Sequence, residues 1–130
     1  MNRKSERGAV VTEFCIISVI LLFILLAGLS LQLLGWAKIG TIDAARDGAR
    51  HEALGLGPAS GKVEETIQDM SLKPENIKDT EVSGGGNYVT VTVKYDQPSI
   101  APFLPLLFGQ SRWDTNFHLE SSSLFKKENQ

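Results

Sequence analysis

The residues of this sequence whose types and spacing could do chemistry lie near its start. Glu13 is a lone acid that directly precedes an apolar run beginning at Phe14. A carboxylate on a membrane segment costs about 2.5 kcal/mol or more near the bilayer centre and usually has a partner. Cleavage after Gly8 would supply one, because the new α-amine of Ala9 would lie about one helical turn before Glu13. If the chain were cut there, the Ala9 ammonium and the Glu13 carboxylate could pair. The alternative is a Glu13 that stays hydrated at the headgroups without a partner.

Other residue types typical of catalytic or metal sites are few and scattered. The sequence has two histidines, His51 and His118, and one cysteine, Cys15. Neither histidine belongs to a metal-binding spacing or a nucleophile–base motif, and no glycine-rich phosphate loop follows a strand. Cys15 lies within the apolar run and is expected to act as a small hydrophobic residue. We therefore expect neither an enzyme nor a site for a metal or cofactor.

The apolar run from Phe14 to Leu34 contains no charged side chain. A helix of about 20 apolar residues matches a hydrocarbon core of ~30 Å, so residues 9–35 are predicted to form a transmembrane helix. The leader, residues 1–8, is net basic, and basic flanks stay cytoplasmic, which puts the rest of the chain on the other side. A cleaved secretory signal is the alternative, although its apolar region normally spans only about 7–15 residues. The chain carries a net charge of −2 and no basic stripe, which argues against a nucleic-acid partner.

The helical pattern continues beyond the apolar run over residues 36–55 and should end at the glycines and proline of residues 55–58. Small residues recur on one face of this continuation, where they permit close approach of another backbone. These helix-packing residues are Ala37, Gly40, Thr41, Ala44, Ala45, Gly48 and Ala49. The face could pack on the chain's own domain or on neighbouring subunits, and both alternatives stay open.

Residues 56–130 are predicted to form a small extracytoplasmic domain of helix and strands. The pattern predicts a helix over 62–70, a glycine-rich turn over 83–87, and strands over 77–82, 88–95 and 113–125. Val89, Val91 and Val93 alternate with polar residues and should contact the helix beyond Trp36. In the last strand, Trp113, Phe117 and Leu119 are expected to face inward.

The predicted fold is therefore α+β. It consists of a long N-terminal helix that is transmembrane in its first half, followed by a short helix and a small antiparallel β-sheet. Because so small a sheet is not stable alone, its apolar face must be covered by the helix.

A second apolar segment, from Ile100 to Phe108, contains two prolines that exclude a central strand. It could be a loop or a single helical turn that covers the edge of the core. It could instead be an exposed patch, from Pro102 to Phe108, that meets the membrane surface or a partner.

Two stretches of the sequence carry a resemblance to a known family. Residues 7–14 resemble the processing site of class III signal peptides, those of prepilins, in which a basic leader ends in glycine. Residues 44–50 resemble the signature that follows the membrane helix in TadE-like pilus-assembly proteins. With the strand pattern of residues 91–95, this resemblance extends over most of the chain. The polar Thr12 departs from the family pattern, in which a small or apolar residue is more usual.

The resemblance implies a minor pilin or pseudopilin of the tight-adherence (Flp) pilus machine. It implies cleavage by a prepilin peptidase between Gly8 and Ala9, with Glu13 and Phe14 as the pilin-type acid and the aromatic residue after it. The implied partners are the lipid bilayer, the peptidase and other pilin or pilus-assembly subunits, at the bacterial inner membrane or in a pilus. The alternative is a permanently anchored extracytoplasmic binding or adaptor module, which would retain Met1 or Asn2 as its N-terminus.

Overall fold

The computed structural model describes residues 3–101, 103–111 and 113–127. The first two leader residues, Pro102 of the second apolar segment, Arg112 and the tail beyond Lys127 lie outside the described residues. The remaining residues form the predicted α+β arrangement, in which a long N-terminal helix and a short helix precede a three-stranded antiparallel sheet.

The first helix, α1, runs without interruption over Arg3–Ala53. It contains no proline, and it ends where Gly55 adopts a positive φ of 68°. The Gly55 N–H donates to the Glu52 carbonyl at 3.0 Å, and the Leu56 N–H donates to the His51 carbonyl at 3.1 Å. These two bonds are the Schellman arrangement, which favours glycine because its left-handed residue would be strained with a Cβ.

The second helix, α2, spans Ala59–Asp69, so it begins earlier than the predicted residue 62. Pro58 stands at the N-cap of α2, and as a proline it prevents α2 from being a direct continuation of α1. The Glu52 carboxylate accepts a hydrogen bond from the Ala59 N–H at 2.9 Å, which satisfies one free donor of the new helix. This start depends on a residue of α1, which is why the local pattern of α2 did not reveal it.

The sheet has the strand order β1-β2-β3, with β1 at Ile77–Gly85, β2 at Tyr88–Pro98 and β3 at Asn116–Lys126. The turn between β1 and β2 is shorter than predicted, because Gly85 pairs with Tyr88 and only two residues connect the strands. Gly86 takes a positive φ of 62° there, which suits the two-residue turns that match the twist of a hairpin. A short helix, α3, at Leu104–Leu107 lies in the loop between β2 and β3.

The prediction that Trp113 faces inward on the last strand is wrong. Trp113 precedes β3 and is 90% exposed, whereas Phe117 is buried and Leu119 is partly buried. The Asp114 carboxylate accepts a hydrogen bond from the Asn116 N–H at 3.1 Å, which makes a local turn before β3. Aspartate favours such turns over extended pairing, so β3 starts three residues later than alternation suggested.

The main core lies between the second half of α1, α2 and the sheet. Val89, Val91 and Val93 of β2 are buried in one cluster with Val63 and Ile67 of α2 and with the alanines of α1. The valine face of the hairpin therefore contacts the helix beyond Trp36, as the sequence predicted.

Candidate functional site

The predicted processing and pilin-type residues occupy successive turns of α1. Gly8, Ala9, Glu13 and Phe14 are all exposed, and the Gly8–Ala9 peptide bond lies within the helix. The Thr12 hydroxyl donates to the Gly8 carbonyl at 3.0 Å, so this polar side chain is satisfied within one turn. That bond explains how a threonine is accommodated at the start of an apolar helix.

Gly8 is not required by the packing of this chain. A Cβ built on Gly8 meets no heavy atom within 4 Å, and Gly8 is absent from the positive-φ residues. Glycine inside a helix costs about 1 kcal/mol relative to alanine. The fold of the described residues therefore gives no reason for glycine at this position.

Glu13 lies about one helical turn after Ala9, within reach of the α-amine that a new N-terminus at Ala9 would carry. Side chains on a helix tilt towards its N-terminus, so the Glu13 carboxylate is directed to the turn that holds Ala9. No ion pair within residues 6–101, 103–111 and 113–127 involves Glu13. A carboxylate at this position would also be favoured by the helix dipole if the helix began at Ala9.

The part of α1 that follows Glu13 is long and apolar enough to cross a bilayer. From Phe14 to Leu25 nearly every side chain is exposed, on all sides of the helix. A helix that is apolar all round is typical of a membrane segment or of a fully buried helix.

The small-residue face of α1 is covered by the chain's own domain. Ala37, Gly40, Thr41, Ala44, Ala45, Gly48 and Ala49 are all buried. A Cβ on Gly48 would lie 2.7 Å from Val63 Cγ2, and one on Gly40 would lie 2.4 Å from Leu72 Cδ1. Close approach of α2 therefore explains Gly48, whereas the neighbour of Gly40 is the flexible end of the Leu72 side chain.

Polar contacts of Lys38 and Thr41 on α1 with Ser121 on β3, which we call the polar seam, fix the register of α1 against β3. Thr41 and Ser121 hydroxyls lie 3.1 Å apart in the buried layer, and Lys38 Nζ lies 3.1 Å from Ser121 Oγ. Lys38 Nζ also contacts the Glu120 carbonyl. Sequence reasoning missed this seam because its members are about 80 residues apart, and only the folded chain brings them together.

A cluster around His118 was also missed. His118 Nδ1 lies 2.6 Å from Asp96 Oδ1, and its Nε2 lies 2.6 Å from Asp114 Oδ2. The hydrogen bond to Asp96, and then the one to Asp114, raises the pKa of His118 above its usual range. The Asn116 N–H and then His118 lower the pKa of Asp114. Lys78 adds a contact of 3.6 Å to Asp96, so the cluster is an ion-pair network at the base of the domain.

The described residues include no group of three His, Cys, Asp or Glu side chains arranged to hold a metal. The open grooves of the domain are lined by dispersed residues such as Asp47, Arg50 and Lys62.

Comparison with known proteins links one part of the chain to a family. The family model described as TadE-like protein matches residues 8–50, which is the proposed processing residue and most of α1. No curated protein and no solved structure matches the chain. The match includes residues 44–50, on which the resemblance rested, and it does not extend to the strand pattern of residues 91–95.

The resemblance that the sequence predicted is thus confirmed over most of α1: residues 8–50 of this chain are similar to the TadE-like family.

Proposed function

We propose that this chain is a minor pilin or pseudopilin of a tight-adherence pilus machine and is cut between Gly8 and Ala9 by a prepilin peptidase. The observation that carries the proposal is the placement of Gly8, Ala9 and Glu13 on consecutive turns at the entry to the apolar helix. The family match begins at Gly8 and supports the same assignment.

The packing around Gly8 supports an external requirement for glycine. The exposed helix has open space where a side chain would go, so a larger residue would fit without disturbing the fold. A peptidase that binds the backbone closely is a physical reason for a residue without a Cβ. The first turns of α1 are exposed, so the Gly8–Ala9 peptide bond becomes accessible when the turn that contains it unwinds.

The new amine would neutralise the acid that the helix carries into the membrane. In a low-dielectric setting the Ala9 ammonium and the Glu13 carboxylate attract strongly, which offsets the cost of burying either charge. The same pairing between subunits would fix the axial register of stacked helices. Phe14 follows as the exposed aromatic residue of the pilin-type sequence.

The proposed topology has a cytoplasmic leader at 1–8 and a membrane helix at 9–35 in the bacterial inner membrane. Basic Arg3, Lys4 and Arg7 lie on the cytoplasmic side by the positive-inside rule. The helix continues outside the membrane over 36–55 and carries the α+β domain of residues 56–130. The proposed partners are the bilayer, the peptidase and other pilin subunits.

The mature N-terminus of the protein from its host tests the proposal. Mass spectrometry should find a chain that begins at Ala9, and Gly8→Leu should leave the full-length chain uncut. Gly28→Leu is the matched control, because Gly28 is also exposed on α1 with nothing within 4 Å of a built Cβ. Cleavage of Gly8→Leu at the normal position, or a native chain that retains Met1, would reject processing and favour a permanently anchored adaptor.

The Glu13→Gln variant tests the Ala9–Glu13 ion pair without affecting the cleavage. The variant should be cut normally, but it should yield far fewer pili because the Ala9 ammonium loses its charge partner. Glu6→Gln is the control, since Glu6 lies in the leader that cleavage removes. Normal pilus output from Glu13→Gln would contradict the role given to the carboxylate and leave the cleavage assignment to the first experiment.

A further inference from the structure

The loop between β2 and β3, which we call the apolar loop (residues 99–115), has exposed hydrophobic residues that the proposed function does not use. No charged residue occurs from Gln97 to Ser111. Leu107 is 75% exposed, Phe108 is 63% exposed and Leu106 is 47% exposed. Contiguous exposed apolar side chains of this kind mark an interaction surface.

The apolar loop packs against the apolar part of α1 and not against the main core. Ala101 and Leu104 form a separate cluster with Phe117, and this cluster rests on Leu26, Ala27 and Leu34 of α1. The ring of Phe103 meets the ring of Phe23 edge to face, with 5.5 Å between centroids. Phe23 precedes Leu34 by about 16 Å along the helix. The loop therefore descends beside the outer half of the run that is long enough to cross a bilayer.

Several backbone N–H groups of the descending part are paired within the chain. The Ala101 N–H donates to Ser30 Oγ at 3.1 Å, and the Leu104 N–H donates to the Ala101 carbonyl at 3.0 Å. The Phe108 N–H donates to the Pro105 carbonyl at 3.1 Å, and Pro105 itself has no N–H. Irregular backbone is tolerated at membrane depth when it is paired inside the protein.

In the described part of the apolar loop, the charged residue is Asp114, which lies just before the start of β3. Trp113 is 90% exposed, and it is followed by Asp114, which pairs with His118. Tryptophan is enriched where hydrocarbon meets headgroups, and charged groups belong outside that boundary. Along the sequence, the uncharged tip is followed by Arg112, Trp113 and Asp114, so the tryptophan and the charged residues come together after the tip, as expected near a headgroup boundary.

We propose that the apolar loop inserts its tip, Leu106, Leu107 and Phe108, into the outer leaflet as a second, half-membrane anchor beside α1. This inference rests on the membrane anchoring in the proposed function. Lipid is the occupant that fits, because at the same level α1 also exposes Ile24, Leu25 and Leu29, so apolar surface faces outward from both elements. A single protein partner would cover one side of this apolar surface, whereas lipid would cover every side of it.

Spin labelling of the full chain in phospholipid vesicles tests the inference. Cys15 is the only cysteine, so a Cys15→Ser background allows a nitroxide at one chosen residue. The variants are Leu107→Cys at the tip, Ile20→Cys on bare α1, and Leu124→Cys on β3, which is 60% exposed and serves as the matched control outside the membrane. Collisions with oxygen, which enters lipid, are compared with collisions with a water-soluble nickel complex.

The expected result is a high oxygen-to-nickel ratio at residues 20 and 107 and a low ratio at residue 124. A low ratio at 107 beside a high one at 20 would overturn the loop insertion and leave the membrane anchoring intact. A low ratio at 20 as well would overturn the anchoring itself. Protection of 107 from both reagents that disappears when the protein is diluted in lipid would instead identify a second copy of the chain as the occupant.

Discussion

His118 shows how two residues from different elements change the chemistry of a third. Alone on a strand it would be an ordinary surface histidine, but Asp96 and Asp114 accept hydrogen bonds at its two ring nitrogens when it is protonated. Their carboxylates favour the charged ring and raise the pKa of His118. Lys78 lies on the other side of Asp96, so the network joins β1, β2 and the start of β3.

This network predicts a pH-dependent stability. Because the folded pKa of His118 is raised, its stabilising contribution is fully present below about pH 6.5, the unfolded value, and is lost as pH rises through the folded pKa. The lowered pKa of Asp114 matters at acidic pH. The stability that the Asp114 carboxylate contributes is lost as pH falls through that lowered pKa. His118→Asn should therefore lower the melting temperature at pH 6 and have less effect at pH 9.

Thermal unfolding of the full chain in detergent micelles between pH 5 and 9 measures this dependence. His51→Asn is the control, because His51 lies on α1 away from this network. A destabilisation by His118→Asn of equal size at pH 6 and pH 9 would contradict the assigned role.

At the scale of elements, the close contact of α1 with α2 depends on glycine. A Cβ at Gly48 would lie 2.7 Å from Val63 Cγ2 and 3.4 Å from the Ala59 carbonyl oxygen. Alanine would gain about 1 kcal/mol of helix propensity, whereas overpacking costs about 1–3 kcal/mol. Val63 is buried and β-branched, so its Cγ2 cannot easily rotate away and the overpacking cost should prevail.

Gly48→Ala should therefore lower the free energy of unfolding by about 1 kcal/mol. Gly61→Ala is the matched control, because Gly61 lies in α2, is exposed and has no atom within 4 Å of a built Cβ. That variant should be more stable by up to about 1 kcal/mol. Denaturant unfolding of both variants gives the comparison, and equal gains in stability would show that α2 does not pack as tightly as described.

At the scale of the whole molecule, Ser30 connects the apolar loop to α1 across 71 residues of sequence. Its hydroxyl accepts the buried Ala101 N–H at 3.1 Å. Ser30→Ala would leave that donor without a partner, which costs about 1–3 kcal/mol. We expect hydrogen exchange at the Ala101 amide to accelerate by roughly tenfold for each 1.4 kcal/mol lost, while exchange in β2 stays unchanged.

Ser83→Ala is the control for that measurement, because Ser83 is an exposed serine on β1. Unchanged exchange at Ala101 in Ser30→Ala would mean that the loop is held by its apolar contacts alone. The same variant shows whether the loop opens separately from the sheet, since the two have different core clusters.

Local pattern predicted α1, α2 and the hairpin, because periodicity of 3.6 or 2 and helix-ending glycines act over a few neighbours. The valine face of β2 and the small-residue face of α1 could be predicted from spacing alone, and so could the fold class. Only the tertiary structure decided that the chain's own domain covers the small-residue face of α1 and that Trp113 lies outside β3. It also decided that the apolar loop rests on Phe23 and Leu34. These outcomes depend on contacts between residues many positions apart, and the geometry that brings such residues together exists only once the chain has folded.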